Sequence, residues 1–139
     1  MNIEVRQALW PEEKTLLRTV RDSVFIQEQQ VPIEIEWDDL DNSAVHFLAL
    51  HQQIPIGTAR LLVTGQFGRM AVMREWRKRG VGAKLLNAIK AHAEQLGLNL
   101  YCHAQVSAIP FYARAGFQIE GDKFLEAGIE HQTMFLKQL

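Results

Sequence analysis

The sequence predicts a mixed α/β (α+β) fold, in which a central mixed sheet carries helices on both faces. Short apolar runs with the two-residue period of strands alternate with amphipathic stretches that have the period of helices. The chain has 139 residues, of which 47% are hydrophobic, and this is the size and composition of one globular domain. We therefore expect a single domain over residues 1–139. Its predicted order is strand, helix, three strands, helix, strand, helix and two strands.

The first strand and the first helix are predicted at the start of the chain. Residues 3–8 form a strand in which Ile3 and Val5 alternate with polar side chains. A helix then begins near Glu12 and Glu13, whose carboxylates suit the positive end of a helix dipole. Its apolar face holds Leu16, Leu17, Val20 and Val24. Because proline interrupts a helix, we expect this helix to end at Val31-Pro32.

The later elements are bounded by glycine and proline turns. Residues 45–51 and 56–63 form a hairpin around a turn at 53–55, and residues 67–73 form the next strand. The central helix follows Gly82, buries an apolar stripe that includes Leu85 and Ile89, and ends at Gly97. The remaining predictions are a strand over 98–104, a short helix from about Ser107, and final strands at 118–119 and 131–136 with a loop between them.

A basic, glycine-containing turn precedes the central helix, and it reads Arg77-Lys78-Arg79-Gly80-Val81-Gly82. Glycines allow a tight turn and let a ligand approach the main chain. The helix behind them presents unpaired N–H groups and a positive dipole end, and the three basic side chains add charge. These features predict an anion cradle, most naturally for a pyrophosphate. A solvated surface turn is the alternative for such a segment taken alone.

A second pattern identifies the kind of nucleotide. The chain has neither a P-loop pattern nor the three glycines of a dinucleotide fingerprint, which leaves Arg77-x-x-Gly80-x-Gly82. Further along come Gln105, Ala108, Phe111-Tyr112 and Gly116-Phe117. Both patterns, in this order, resemble those of the GNAT superfamily of acyl-CoA-dependent N-acyltransferases. The resemblance covers the chain from about Gly57 onward, and it departs from the family at Gln105, where asparagine is usual.

This resemblance implies a mostly antiparallel sheet, acetyl-CoA as the cofactor, and acetyl transfer to a primary amine of a small molecule in a ternary complex. The strand before the cradle would pair with the pantetheine arm, and its backbone N–H groups would stabilise the oxyanion. Gln105 would contact the same arm, through a side chain that is one methylene longer than that of asparagine. The implied cofactor-binding residues are Met70, Ala71, Val72, Arg77, Lys78, Arg79, Gly80, Val81, Gly82, Ala83, Gln105, Phe111, Tyr112 and Arg114.

The resemblance also suggests which residues move protons. Tyr112 would act as the general acid that reprotonates the departing thiolate, and a core aromatic is the alternative for this residue. His131, near the start of the final strand, would act as the general base, because imidazole titrates near neutrality. A hydrogen-bonded structural histidine is an equal alternative there. A water relayed from Glu36 or Glu28 is the second candidate base.

An acidic stretch between residues 28 and 41 would roof the acceptor site in this family. Most of it is expected to be a solvated loop, yet Glu34 and Glu36 alternate with apolar residues, so one face could turn carboxylates inward. Such a roof would attract a cationic amine. The predicted acceptor-binding residues are therefore Glu28 and Glu34 on the roof, together with Glu126 and His131 just before and within the last strand.

Composition narrows the remaining possibilities. The formal net charge is −1, so we expect neither a nucleic-acid nor a membrane partner. The single cysteine, Cys102, is expected to be a buried strand residue, and the five histidines lack metal-ligand spacing, so no metal site is expected. No apolar leader is visible, which suggests a cytoplasmic protein, and a homodimer is a fair guess. A non-catalytic acyl-CoA sensor, an interaction domain and an enzyme for protein amines stay open.

Overall fold

A computed structural model of the chain describes residues 2–136 and contains one twisted sheet. Within these residues the strand order is β1-β2-β3-β4-β5-β7-β6, and all neighbours are antiparallel except β4 and β5. The strands are β1 (Glu4–Gln7), β2 (Val45–His51), β3 (Ile54–Leu61), β4 (Gln66–Val72), β5 (Tyr101–Gln105), β6 (Phe117–Glu126) and β7 (Ile129–Leu136). The α-helices are α1 (Lys14–Arg21), α2 (Ile33–Glu36), α3 (Val81–Leu96) and α4 (Ile109–Arg114). The predicted fold class is confirmed.

Helices cover both faces of the sheet, as the alternation along β2 shows. Phe47 and Ala49 pack in the large core beneath α3 and α4, whereas Leu48 and Leu50 pack on the opposite face with Leu17 of α1. Each strand residue therefore contributes to one of two apolar layers, which is the pattern of a sheet buried on both sides.

Helix α1 continues as a π-helix over Asp22–Glu28, which the sequence did not predict. The wider π turn is shown by the bond from the N–H of Gln29 to the carbonyl of Val24, 3.0 Å long. Gln30 then takes a left-handed backbone conformation with φ 59°, and the chain leaves the helix before Pro32. The helical segment thus ends at Glu28, three residues before the predicted stop at Val31-Pro32.

Strands β4 and β5 separate after their first residues. They pair only at Gln66 with Tyr101 and at Phe67 with Cys102. Beyond that point β4 carries a bulge, because Arg69 and Met70 together lie opposite the single residue Ala59 of β3. The bulge bends β4, and the two strands enclose a V-shaped opening.

Two elements differ from their prediction. β6 runs over Phe117–Glu126, whereas a strand was expected only at 118–119, and β7 lies between β5 and β6. Residues 33–36 form one helical turn, so the expected strand-like alternation of acids is wrong. Cys102 is buried as expected, and burial raises the pKa of its thiol to about 12. No helix within residues 2–136 is long and apolar enough to cross a membrane.

Candidate active site

The N-terminus of α3 is open, as expected for an anion cradle. Gly80 precedes the helix at φ 83°, a left-handed conformation that glycine adopts without strain. No side chain of the described residues caps this end. The N–H groups of the first turn, which begins with Val81, Gly82 and Ala83, therefore have no partner within the helix. The positive end of the helix dipole lies at the same helix end.

A cleft of about 620 Å³ lies in front of this helix end. It is basic, because Arg77, Lys78, Lys90 and Arg114 all line it. Nine of the predicted cofactor-binding residues lie here, namely Val72, Arg77, Lys78, Gly80, Val81, Gly82, Ala83, Phe111 and Arg114. The sequence analysis missed Trp76, Leu86, Asn87, Lys90 and Ala115. Three of these follow Ala83 at helical spacing, which is the signal that could have revealed them.

Gly82 keeps the cleft open beside the ring of Phe111. A Cβ atom at this position would lie 3.3 Å from the Cζ atom of Phe111, closer than ordinary contact. The φ angle of Gly82 is one that any residue can adopt, so glycine is needed here for its small size and not for its backbone conformation. The space left by the missing side chain would let a diphosphate approach the main-chain amides.

Arg77 is bound to other parts of the protein. Its Nε donates to the carbonyl of Val72 at 3.0 Å, and its two terminal nitrogens donate to the carboxylate of Glu28 at 2.7 Å each. Hydrogen bonding to Arg77 lowers the pKa of Glu28. Glu28 therefore neutralises a cradle arginine, which speaks against its predicted roles in acceptor binding and as a second base. Arg79 lies outside the cleft lining, with its guanidinium 5.1 Å from the ring of Trp76.

A second cavity of about 200 Å³ fills the opening between β4 and β5. Here the structure brings together six predicted residues from six elements: Glu36, Met70, Gln105, Tyr112, Glu126 and His131. Two consecutive residues line the two cavities, Phe111 the basic cleft and Tyr112 the second cavity. Ala71 faces the other side of the sheet, where it packs with Val20 and Val24 of the first helical segment.

The Tyr112 hydroxyl is directed at β4. It donates to the sulfur of Met70 at 3.8 Å, and 8% of the residue is exposed. Burial raises the pKa of this phenol well above its usual value. Tyr112 is thus a protonated donor, beside the part of β4 that has left β5.

His131 has a defined tautomer. Its Nδ1 lies 2.6 Å from the carbonyl oxygen of Ile129, and since a carbonyl only accepts, Nδ1 carries the hydrogen. In the neutral ring this leaves the lone pair on Nε2. The ring of Phe124 stacks on the imidazole with centroids 5.9 Å apart. The side chain is therefore fixed in a form that can accept a proton.

A second imidazole, that of His103, lines the same cavity. Its Nδ1 lies 3.0 Å from a carboxylate oxygen of Glu126, and its ring meets the edge of Phe124 at 5.0 Å. Its place in the cavity follows from the alternation of the strand. Cys102 and Ala104 are buried on one face of β5, so His103 between them lies on the other face.

The acidic roof is neutralised by arginines. Glu36 is 2% exposed, pairs with Arg21, and lies 3.1 Å from Arg69. Burial raises the pKa of Glu36, while both guanidiniums favour its charged form. Asp41 pairs with Arg21 at 2.9 Å and with Arg60 at 3.0 Å. The lone pairs of Glu36 are thus engaged, so a water-activating role for it is not supported.

Glu34 and Gln105 also differ from expectation. Glu34 is exposed and lies outside both cavities, because residues 33–36 are helical and only Glu36 and Ile35 turn toward the opening. The amide of Gln105 is engaged with that of Gln29, with nitrogen-to-oxygen distances of 3.0 and 3.4 Å. It is not a free group on the wall of the opening. Among residues 2–136 no three His, Cys, Asp or Glu side chains are grouped to hold a metal ion.

Residues 12–138 match a family profile described as an acetyltransferase (GNAT) domain. The chain belongs to the GNAT acetyltransferase family. It is 36% identical over 120 residues to the Bacillus subtilis protein named "Uncharacterized N-acetyltransferase YjcF", covering 83% of this chain and 86% of that protein.

Solved structures share this GNAT fold. An acyl-CoA N-acyltransferase from Pseudomonas aeruginosa superposes with a TM-score of 0.85 and 28% identity, over 98% of this chain and 99% of that one. Escherichia coli ElaA superposes with a TM-score of 0.85 and 23% identity, over 98% and 100% of the two chains. Proteins of the GNAT family transfer acyl groups from acyl-CoA to amines, and the open α3 end and the V-shaped opening suit such a donor.

Proposed function

We propose that this chain transfers an acetyl group from acetyl-CoA to a primary amine of a small molecule, with both substrates bound together and the amine attacking directly. One observation carries the proposal. The protonated hydroxyl of Tyr112 lies at the opening between β4 and β5, one residue from the ring that lines the basic cleft. A single donor group thus lines the second cavity next to a residue that lines the basic cleft.

The cradle would hold the diphosphate of the donor. The N–H groups at the start of α3 would bind its oxygens, and Lys78 and Arg114 would contribute charge from either side. Coenzyme A supplies a thioester, whose acyl carbon is open to attack. The released edge of β4 from Met70 to Val72 would present main-chain N–H groups to the carbonyl oxygen as charge develops on it.

Two side chains would move protons in this site. Tyr112 would donate to the departing sulfur, which otherwise leaves as a thiolate because a thiol has a pKa of about 8.5. His131 would accept a proton from the amine nitrogen at Nε2, with its other nitrogen held by the carbonyl of Ile129. Since Glu28 and Glu36 are paired with arginines, His131 is preferred over a water relayed from either carboxylate.

The acceptor cavity favours a compact substrate. Its volume is about 200 Å³, and its lining mixes apolar groups such as Phe25 and Val31 with amide and imidazole groups. Because arginines neutralise the roof acids, the roof's net charge does not select a cationic acceptor. The size of the cavity and the polar groups near β7 would select the acceptor instead.

An amine panel tests this function. The protein is incubated with acetyl-CoA and each of a set of small primary amines and lysine peptides, and free thiol release is followed. Release with a small amine supports the proposal, whereas release with peptides alone would assign a protein acceptor. A thermal shift with coenzyme A but no release would indicate a sensor. Binding at one hundred times the dissociation constant should add about 2.7 kcal/mol to the free energy of unfolding, so no shift at all would indicate an interaction domain.

A further inference from the structure

Acyl transfer to an amine leaves two protons to be moved, and the cavity holds two imidazoles. An alkylamine with a pKa near that of lysine, about 10.4, is an ammonium ion at pH 7. Its nitrogen must lose one proton before it can attack and another once the C–N bond has formed. The thiol product retains only one of them, so the other must reach solvent.

His103 occupies the outer position in this cavity. The residue is exposed, with 35% of its side chain accessible, whereas His131 is buried. Because the carboxylate of Glu126 accepts from Nδ1 of His103, the neutral ring presents the Nε2 lone pair. The edge of Phe124 limits rotation of this ring.

Other groups at the cavity are less suited to receive this proton. The titratable and charged side chains that line it with His103 are Glu36 from α2, Arg69 from β4, Cys102 from β5, Tyr112 from α4, Glu126 from β6 and His131 from β7. Glu36 and Arg69 pair with each other, and Cys102 and Tyr112 are buried and protonated. Glu126 is engaged by His103, which leaves the two imidazoles as proton acceptors.

We propose that His103 is a catalytic residue that takes the first proton from the substrate ammonium and passes it to water, and that Glu126 is its positioning residue. This inference rests on the proposed function. The N–H bond breaks with its electron pair left on nitrogen, and the proton moves to Nε2 of His103 and then to solvent.

The remaining steps use the residues already described. The neutral nitrogen forms the C–N bond as the C–S bond breaks, and sulfur takes the hydroxyl proton of Tyr112. His131 takes the second nitrogen proton, and Tyr112 regains a proton from His131 through solvent. One proton therefore ends on the thiol and one in solvent, which balances the reaction.

The test compares acceptors that differ in basicity. Ethylamine is protonated at pH 7, whereas 2,2,2-trifluoroethylamine is mostly neutral and needs no first deprotonation. His103→Gln should lower kcat/KM for ethylamine by about 100-fold and leave kcat/KM for the fluorinated amine within about threefold of wild type. His131→Gln should lower kcat/KM for both amines, since each loses its second proton after attack.

Matched variants separate this role from a structural one. Glu126→Gln should show the same dependence on amine basicity as His103→Gln, in weaker form, because the glutamine carbonyl can still hold the imidazole N–H. Glu120→Gln, an exposed residue of the same strand outside both cavities, and His92→Gln on α3 should match wild type with both amines. If His103 were only structural, His103→Gln would reduce the rates with both amines to the same extent.

Each outcome is decisive. Equal losses for the two amines in His103→Gln, or no loss for ethylamine, would overturn the assignment while acyl transfer itself stands. If His103→Gln fails to fold, the contrast between Glu126→Gln and Glu120→Gln gives the same decision. If wild-type protein releases no thiol with any amine, the proposed function fails, and this inference fails with it.

Discussion

Replacing Tyr112 with phenylalanine should remove a proton donor and little else. The hydroxyl bonds to a sulfur at 3.8 Å, which is a weak acceptor, so we expect the free energy of unfolding to fall by less than about 1 kcal/mol. The ring should stay in place, because it packs against Phe67, Phe111 and Phe117 with centroids 5.8, 5.0 and 6.0 Å away. Binding of coenzyme A should therefore be retained.

The rate should respond differently from the fold. General acid catalysis contributes about 10²- to 10⁴-fold, and a thiol is a good leaving group, so the low end applies. We expect kcat to fall by about 100-fold, or about 2.7 kcal/mol in activation free energy. Burial raises the pKa of Tyr112, so its acid form persists at alkaline pH, and wild-type kcat should show no decline below about pH 10 caused by this group.

The assay is steady-state thiol release, with calorimetry for coenzyme A affinity. Tyr101→Phe is the matched control, because the hydroxyl of Tyr101 meets Thr64 at 3.5 Å at the far end of β5. That variant should keep both rate and affinity. If Tyr112→Phe turned over within about twofold of wild type, the phenol would not be the donor, and loss of affinity with unchanged kcat would make it a binding residue.

Three other changes test the cradle, the ion pair that holds Arg77, and the arginine that neutralises the roof acids. Gly82→Ala should weaken coenzyme A binding about tenfold by calorimetry, because the Cβ atom of alanine would enter the cleft 3.3 Å from Phe111. Its thermal stability should be unchanged or higher, since alanine favours the helix more than glycine does. Tighter binding would contradict this prediction. Glu28→Gln should strengthen coenzyme A binding at low salt, because it frees Arg77 from its ion pair. Salt at 0.3 M should reduce this gain by screening the charge of Arg77. Weaker binding would mean that Glu28 positions the arginine. Arg21→Met should lower the free energy of unfolding by about 3 kcal/mol in urea titrations, because it leaves the buried carboxylates of Glu36 and Asp41 with one partner each. Arg18→Met removes an exposed ion pair and should lower the free energy of unfolding by less than about 0.5 kcal/mol. Equal effects of the two changes would refute the argument.

The turn before α3 and the buried face of that helix were predictable because their signals are local. The glycines and the apolar stripe lie within one short window, and the structure shows Gly80 in a left-handed turn and Leu85 and Ile89 in the core. Tyr112 was predicted differently, from a motif that resembles the GNAT family, and its role as general acid stays a prediction. The signals for the turn and the helix need only the chain's own periodicity and turn chemistry.

The roof could not be predicted because its partners are distant in sequence. Glu36 meets Arg21 and Arg69, which lie 15 and 33 residues away, and a run of acids in the sequence does not show which cations will neutralise it. The helical turn at 33–36 also has the composition of a short alternating strand. His103 was missed for the same reason, since Glu126 reaches it only through the pairing of β5, β7 and β6.

The end of the first helical segment connects both sides of the V-shaped opening through two consecutive residues. Glu28 holds Arg77 on the α3 side, and Gln29 holds Gln105 on the β5 side. Any movement that spreads β4 from β5 must therefore break an ion pair or an amide pair. These two contacts, made from a segment outside the sheet, limit the width of the gap between β4 and β5. A bulkier acyl chain would have to break one of them before it could enter.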